Sequence, residues 1–254
     1  EYDIPQEEVE VLLPSLIVLN RLLKYTVNDS ILLSNVLLSD AVMFEMLFPK
    51  EASFVVKAYE EFTLQSATSI AERFGRDLDH ISRVSSVALE IYDKMKKLHG
   101  YKLRERTLLQ VSAILQDIGK YVNVKNHALL SYNTITNLDI VGINDHERLI
   151  IATVCYYHNG NIPSMDSPIY NQLSQEDRVM VSKLAAILQI SNAINTSHSP
   201  KFEQVNVNMK NGKLNIYLTT LKNINLEKWA FIAKSKLFRE VYGLNATIIK
   251  RGVL

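Results

Sequence analysis

The feature that most constrains this chain is a change of period. Between residues 51 and 195 apolar side chains recur every three or four positions, as one buried face of an α-helix requires, and from Val205 onward they alternate. That pattern allows a helical body followed by a small sheet. Segment 78–98 is the clearest, with Leu78, Ile81, Val84, Ala88, Ile91, Met95 and Leu98 in register behind the cap residue Asp77, and Gly100 to stop it. A helix over 51–74 precedes it and ends at Gly75. Thr107 is expected to open the next helix, buried along Leu108, Val111, Leu115 and Ile118 and ended by Gly119, and Asn126 to cap another. Asn144 with Glu147 makes a capping-box signature for 145–158, which runs out at Gly160. Ser174 with Asp177 is a weaker start for 175–195, whose buried side is read as Val179, Leu184, Ile187, Leu188, Ile190 and Ile194.

The period-two stretch reads as a hairpin. Val205, Val207 and Met209 alternate with polar residues, Asn211-Gly212 supplies the turn, and Leu214, Ile216 and Leu218 alternate in return. A helix over 226–242 ended by Gly243 and a strand through Ala246, Ile248 and Ile249 complete a small α+β subdomain. Upstream, an apolar segment from Pro5 to Leu23 containing Pro14, a strand-like run Ile31-Leu32-Leu33 and a helix opening at Ser39 or Asp40 are too little to form a core alone. The expected organisation is therefore 1–49, a mainly α domain over 50–200, and the α+β subdomain over 201–254.

Composition removes whole classes of function. With 254 residues, 47% apolar and 22% charged, the chain is an ordinary globular protein, not a disordered or collagenous one. No window approaches the roughly 18 apolar residues of a membrane span. Cys155 is the one cysteine, so no internal disulfide forms, and the chain opens at Glu1 without a secretory signal; we read it as cytoplasmic and as part of something longer. The eight glycines are too scattered to cradle a phosphate or a dinucleotide, and no serine has an elbow of glycines. Charge is nearly balanced overall but not locally: residues 1–61 carry 4 basic and 11 acidic side chains, residues 201–254 carry 10 and 3. Either the two ends attract each other, within or between chains, or the basic one faces a polyanion.

Chemistry concentrates where polar, metal-capable side chains replace expected apolar neighbours. His80 borders the face formed by Val84, Val87 and Ile91; Gln116-Asp117 ends a helix before Ile118-Gly119-Lys120; His127 begins another helix; His158 closes Tyr156-Tyr157-His158-Asn159-Gly160. Convergence of such groups at helix ends is how helical metallohydrolases hold divalent ions. Each has a plainer reading too. His80 and His158 fit buried neutral rings bonded to Asp117, Asn192 or backbone carbonyls, His127 fits an exposed helix start, and Lys120 and Lys125 fit a helix C-terminus as well as a phosphate. The basic run Lys94, Lys96, Lys97, His99, Lys102, Arg104 and Arg106 is a solvated face or a polyanion contact.

His80, Leu115-Gln116-Asp117-Ile118-Gly119-Lys120, His127 and Tyr157-His158 resemble the core of the HD domain, a helical metal-dependent phosphohydrolase fold. More narrowly, the stretch from about Phe74 onward, with Leu184-Ala185-Ala186-Ile187-Leu188 and the trailing sheet, resembles the C-terminal portion of the exopolyphosphatase and guanosine pentaphosphate phosphohydrolase family. The first 48 residues are similar to the end of that family's actin-like catalytic domains. Two departures matter: Gln116 stands where the HD dipeptide has histidine, and Ser191-Asn192-Ala193-Ile194-Asn195-Thr196 has amides where acids are usual.

The resemblance implies hydrolysis of phosphoanhydrides in inorganic polyphosphate or guanosine pentaphosphate, with Mg²⁺ and a carboxylate of the upstream actin-like domains. This segment would then be a polyphosphate-binding and dimerising module, with Lys97, Lys102, Arg104, Arg106, Lys120 and Lys125 as phosphate candidates and no catalytic residue of its own. Its HD site, comprising His80, Gln116, Asp117, His127, His158, Asn192 and Asn195, is expected to be degenerate and to hold no metal tightly. The alternatives are a surviving HD hydrolase with one ion on His80, Asp117, His127 and His158, or a purely structural dimerisation domain.

Overall fold

The computed structural model describes residues 6–26, 30, 38–47, 53–197, 199, 201–210 and 212–252. The chain divides into two compact units, Glu1–Phe54 and Val55–Leu254. In the first, α1 (Gln6–Tyr25) runs through Pro14, and α2 (Leu38–Leu47) begins just ahead of the expected Ser39. The strand-like run Ile31-Leu32-Leu33 lies outside the described residues.

The larger unit is mainly helical and closes with a three-stranded sheet. Its first long helices are α3 (Ser53–Arg73) and α4 (Leu78–Lys94). Asp77 caps α4 as its sequence position requires, its carboxylate accepting from the backbone N–H of Asp79 and His80. The expected 78–98 helix breaks at Met95 and resumes as α5 (Lys96–His99). Then comes α6 (Leu103–Leu115), which starts four residues before Thr107. The Glu105 carboxylate holds the Lys102 N–H at 2.8 Å, while the Thr107 hydroxyl bonds back to the Leu103 carbonyl inside the helix and caps nothing. Gly119 ends no α-helix either; it lies in a 3₁₀ turn, Ile118–Tyr121.

Next are α7 (His127–Ile135), α8 (Asp145–Tyr157), α9 (Pro168–Asn171) and α10 (Gln175–Ile194). Asn126 makes no side-chain cap; Asn123 instead accepts from the N–H of Lys125 and Asn126. The capping box of Asn144 with Glu147 and the cap of Ser174 on the Asp177 N–H both form. In α10, Val179 is 48% exposed and Val181 fully buried, because this helix packs against α4, α8 and the later helix Asn225–Tyr242, and its buried stripe is set by those neighbours.

The hairpin pairs β1 (Gln204–Lys210) antiparallel with β2 (Lys213–Thr219), Val207 opposite Ile216. Helix α11 (Asn225–Tyr242) crosses over to β3 (Asn245–Arg251), which runs parallel to β2 with Ile248 opposite Ile216. Gly243 ends α11 in a left-handed conformation, φ 66°, that side chains resist. One apolar cluster runs through the helices and the sheet, from Ala67 and Ile91 through Leu184 and Ile187 to Ile216 and Phe238. Burying each such aliphatic or aromatic side chain is worth about 1.5–3 kcal/mol. The fully buried Glu227 in the first turn of α11 is neutralised by Lys201 at 2.9 Å.

Candidate functional site

Three helix ends meet beside the core. Asp117 follows α6, His127 opens α7 and His158 follows the last residue of α8. What holds the first two together is backbone contact: the Gly119 N–H donates to Ser131 Oγ, and that hydroxyl donates to the Gln116 carbonyl, both at 2.9 Å. A Cβ on Gly119 would collide with the His127 carbonyl oxygen and the Ser131 nitrogen, so only glycine lets the turn lie against α7 this closely.

One carboxylate oxygen of Asp117 and one ring nitrogen each of His127 and His158 lie within 4.8 Å of one another, and all three residues are buried. Asp117 Oδ1 is 3.2 Å from His158 Nε2 and 3.7 Å from His127 Nε2, and the two Nε2 atoms are 3.3 Å apart. The opposite nitrogens are already engaged, His127 Nδ1 with the Val124 carbonyl at 2.7 Å and His158 Nδ1 with the Cys155 carbonyl at 2.5 Å. A carbonyl accepts only, so each Nδ1 carries the hydrogen and each neutral ring turns a lone pair on Nε2 toward Asp117. Three acceptors converging in a buried place need a positive charge among them, either a proton on one ring or a bound cation. Burial pushes the Asp117 carboxyl up, but the hydrogen bond and charge of His158 together with Lys120 outweigh it and hold the group well below the usual carboxylate range. Burial, then the charge of His158, lowers the His127 imidazolium.

Next to the cluster is a recess of about 180 Å³ walled by Gly75, Arg76, Asp77, His80, Gln116 and Lys120, with Asp117 shared between the two. Lys120 Nζ donates to Asp117 Oδ2 at 2.7 Å. Arg76 donates from Nε to the Phe74 carbonyl and from Nη1 to the Asp117 carbonyl. Gln116 is 1% exposed, and neither its Oε1 nor its Nε2 has a hydrogen-bond partner. Lys234 of α11 comes from the far end of the chain: burial lowers its ammonium, the Asp117 carboxylate opposes that, and Lys120 adds to it.

The remaining sequence candidates scatter. His80 is buried in the recess wall, outside the three-residue cluster. Asn195 donates to the Ser191 carbonyl, and neither Asn192 nor Asn195 is in the recess wall. His127 is 7% exposed, which removes the reading of it as a merely exposed helix start. Lys97, Lys102 and Lys125 are exposed. Arg104 is committed to both oxygens of Glu147 and to the Gly142 carbonyl, and Arg106 to both oxygens of Asp93. Cys155 is fully buried, and burial pushes its thiol up, so it is no nucleophile. Sequence reasoning missed Arg76 and Lys234; Arg76 reads as a loop cation and Lys234 as one more charge on an amphipathic helix, with no spacing to link either to Asp117.

The fold and site define a mainly helical protein with a cation-competent cluster at converging helix ends. The chain belongs to the Ppx/GppA phosphatase family: residues 64–237 match that family's domain III. The Mg²⁺ implied for such enzymes does not suit this cluster, because Mg²⁺ asks for six oxygens in near-octahedral order and two of the three donors here are imidazole nitrogens. Two histidines and a carboxylate suit manganese, iron, cobalt or zinc. Among the described residues no helix is long and apolar enough to cross a membrane.

Proposed function

We propose that this chain is the C-terminal accessory region of an exopolyphosphatase-like phosphoanhydride hydrolase. It binds inorganic polyphosphate and pairs two copies, while upstream actin-like domains carry the Mg²⁺-dependent chemistry, in the cytoplasm. The observation that carries this reading is that two cations line one recess, Lys120 on the Asp117 carboxylate and Arg76 on the Asp117 backbone carbonyl. The exposed Lys97, Lys102 and Lys125 extend it over the surface. The dimer rests on complementary charge, acidic over 1–61 and basic over 201–254. Uncharged Gln116 in place of an imidazole favours binding over hydrolysis at this site.

The test is a titration of the full chain with long-chain polyphosphate at several salt concentrations, with guanosine pentaphosphate as competitor. Lysine and arginine contacts to phosphate release counterions, so the logarithm of affinity should fall linearly with that of salt. Absent or salt-indifferent binding would sink the proposal, and light scattering at micromolar concentration tests the dimer.

One observation favours a second reading, the three acceptor atoms of Asp117, His127 and His158 turned on one point. Those residues would hold a divalent transition ion, and such an ion supplies an activated water at neutral pH. Lys120 then fixes the Asp117 carboxylate, and the Val124 and Cys155 carbonyls fix the rings. Turnover of nucleotide phosphates with added Mn²⁺, lost in Asp117→Asn, would establish it.

A further inference from the structure

We propose that the recess beside the histidine cluster is a subsite for a single phosphoryl group, recognised by the Gln116 amide with Arg76 and Lys120. It rests on the reading of phosphate as this site's ligand and adds which atoms receive the terminal group.

The argument starts from the cost of Gln116. A primary amide buried without partners has given up its hydrogen bonds to water and gained none in exchange. Here both amide atoms are buried and without partners, and the side chain forms part of the recess wall. An apolar side chain of that size would fill the position at no such cost, so the amide is matched to something that enters.

The neighbours say what enters. Arg76 uses Nε and Nη1 on two backbone carbonyls, which fixes the guanidinium plane in the wall with the Nη2 donor to spare. Lys120 uses one ammonium hydrogen on Asp117 and retains two more. With the Gln116 NH₂ these are donors on neighbouring walls, the arrangement that a tetrahedral oxyanion with several acceptor oxygens satisfies. The two carboxylates present do not reverse the sign. Asp77 is held by the first-turn amides of α4, and Asp117 by Lys120 and the histidines. The volume of about 180 Å³ is enough for a phosphoryl group. A phosphate chain would therefore enter end first, its terminal group in the recess and the rest outside.

The experiment is isothermal titration of the full chain with inorganic orthophosphate at low ionic strength in the presence of chelator, for wild type, Gln116→Leu and Gln116→Glu. Wild type should bind one equivalent. Gln116→Leu should weaken binding about tenfold while its melting temperature holds or rises, since an unpaired buried amide is gone. Gln116→Glu has the same shape with a negative charge and should weaken binding at least 100-fold. Equal affinity in all three proteins, or no saturable orthophosphate binding by wild type, would overturn the subsite. Long-chain polyphosphate separates this from the accessory reading. If the long chain binds all three alike and orthophosphate binds none, the subsite falls and the accessory reading stands. If orthophosphate binds through Gln116 and the long chain binds no more tightly, the subsite stands and the polyphosphate reading falls.

Discussion

The Nε2 atoms of His127 and His158 stand 3.3 Å apart, each on a ring whose Nδ1 faces a backbone carbonyl. Two lone pairs so placed repel, and Asp117 Oδ1, 3.2 Å from one of them, adds a third acceptor. The fold holds them there because each residue sits at the end of a helix whose other side is in the core.

The arrangement predicts transition-metal binding that can be read by spectroscopy. Added Co²⁺ should give visible d–d absorption at one equivalent. His127→Ala and His158→Ala should each weaken it by more than the roughly 10- to 100-fold that outer-shell changes cost. Gln116→His, placing an imidazole beside Asp117, should tighten it. Absence of any cobalt spectrum in wild type would refute the cation reading of the cluster.

Lys120→Met should destabilise the protein by about 1–3 kcal/mol at neutral pH, because Asp117 keeps its buried charge and loses a partner. The effect has a sign in pH. The folded Asp117 carboxyl is held below its ordinary value of 3.8, so its contribution is present above that value and is lost as pH falls through it toward the folded one. Denaturant unfolding between pH 7 and pH 3 should therefore show wild-type stability declining from about pH 5 downward and a shallower decline in Lys120→Met. Parallel curves would mean that Lys120 does not stabilise the Asp117 anion.

Gly119→Ala should cost about 1–3 kcal/mol by chemical denaturation, as overpacking against a rigid backbone does. The added methyl meets main-chain atoms of His127 and Ser131, which cannot rotate away. Because it pushes the 3₁₀ turn off α7, cobalt binding should weaken as well. Unchanged stability would show that the turn does not need this close approach.

Arg104→Gln should lower the melting temperature and leave polyphosphate affinity unchanged, because this guanidinium joins α6 to Glu147 of α8 and to the Gly142 carbonyl. Lys125→Gln, at an exposed position, should do the reverse. A loss of polyphosphate binding in Arg104→Gln at full stability would return Arg104 to the binding surface.

Helix order and the hairpin were legible because they are local. Apolar spacing in 78–94 or 204–219 reports which face is covered whatever covers it, and the Asn144–Glu147 cap forms within four residues. Boundaries that depend on a competing partner were not: Thr107 reads as a cap until Glu105 is seen holding the Lys102 N–H, and Val179 reads as core until α10 meets its neighbours.

The sequence by itself determined that the chain would be a helical body ending in a small sheet, and it put His80, Asp117, His127 and His158 forward together with Gln116, Asn192 and Asn195, since side-chain chemistry and spacing are written along the chain. Only the tertiary structure decided that Asp117, His127 and His158 share one point while His80, Asn192 and Asn195 do not, and that Arg76 reaches the Asp117 backbone carbonyl. The reason is physical: distances between residues 10 to 41 positions apart are set by how helices pack and by one glycine contact at 119, and no periodicity encodes those.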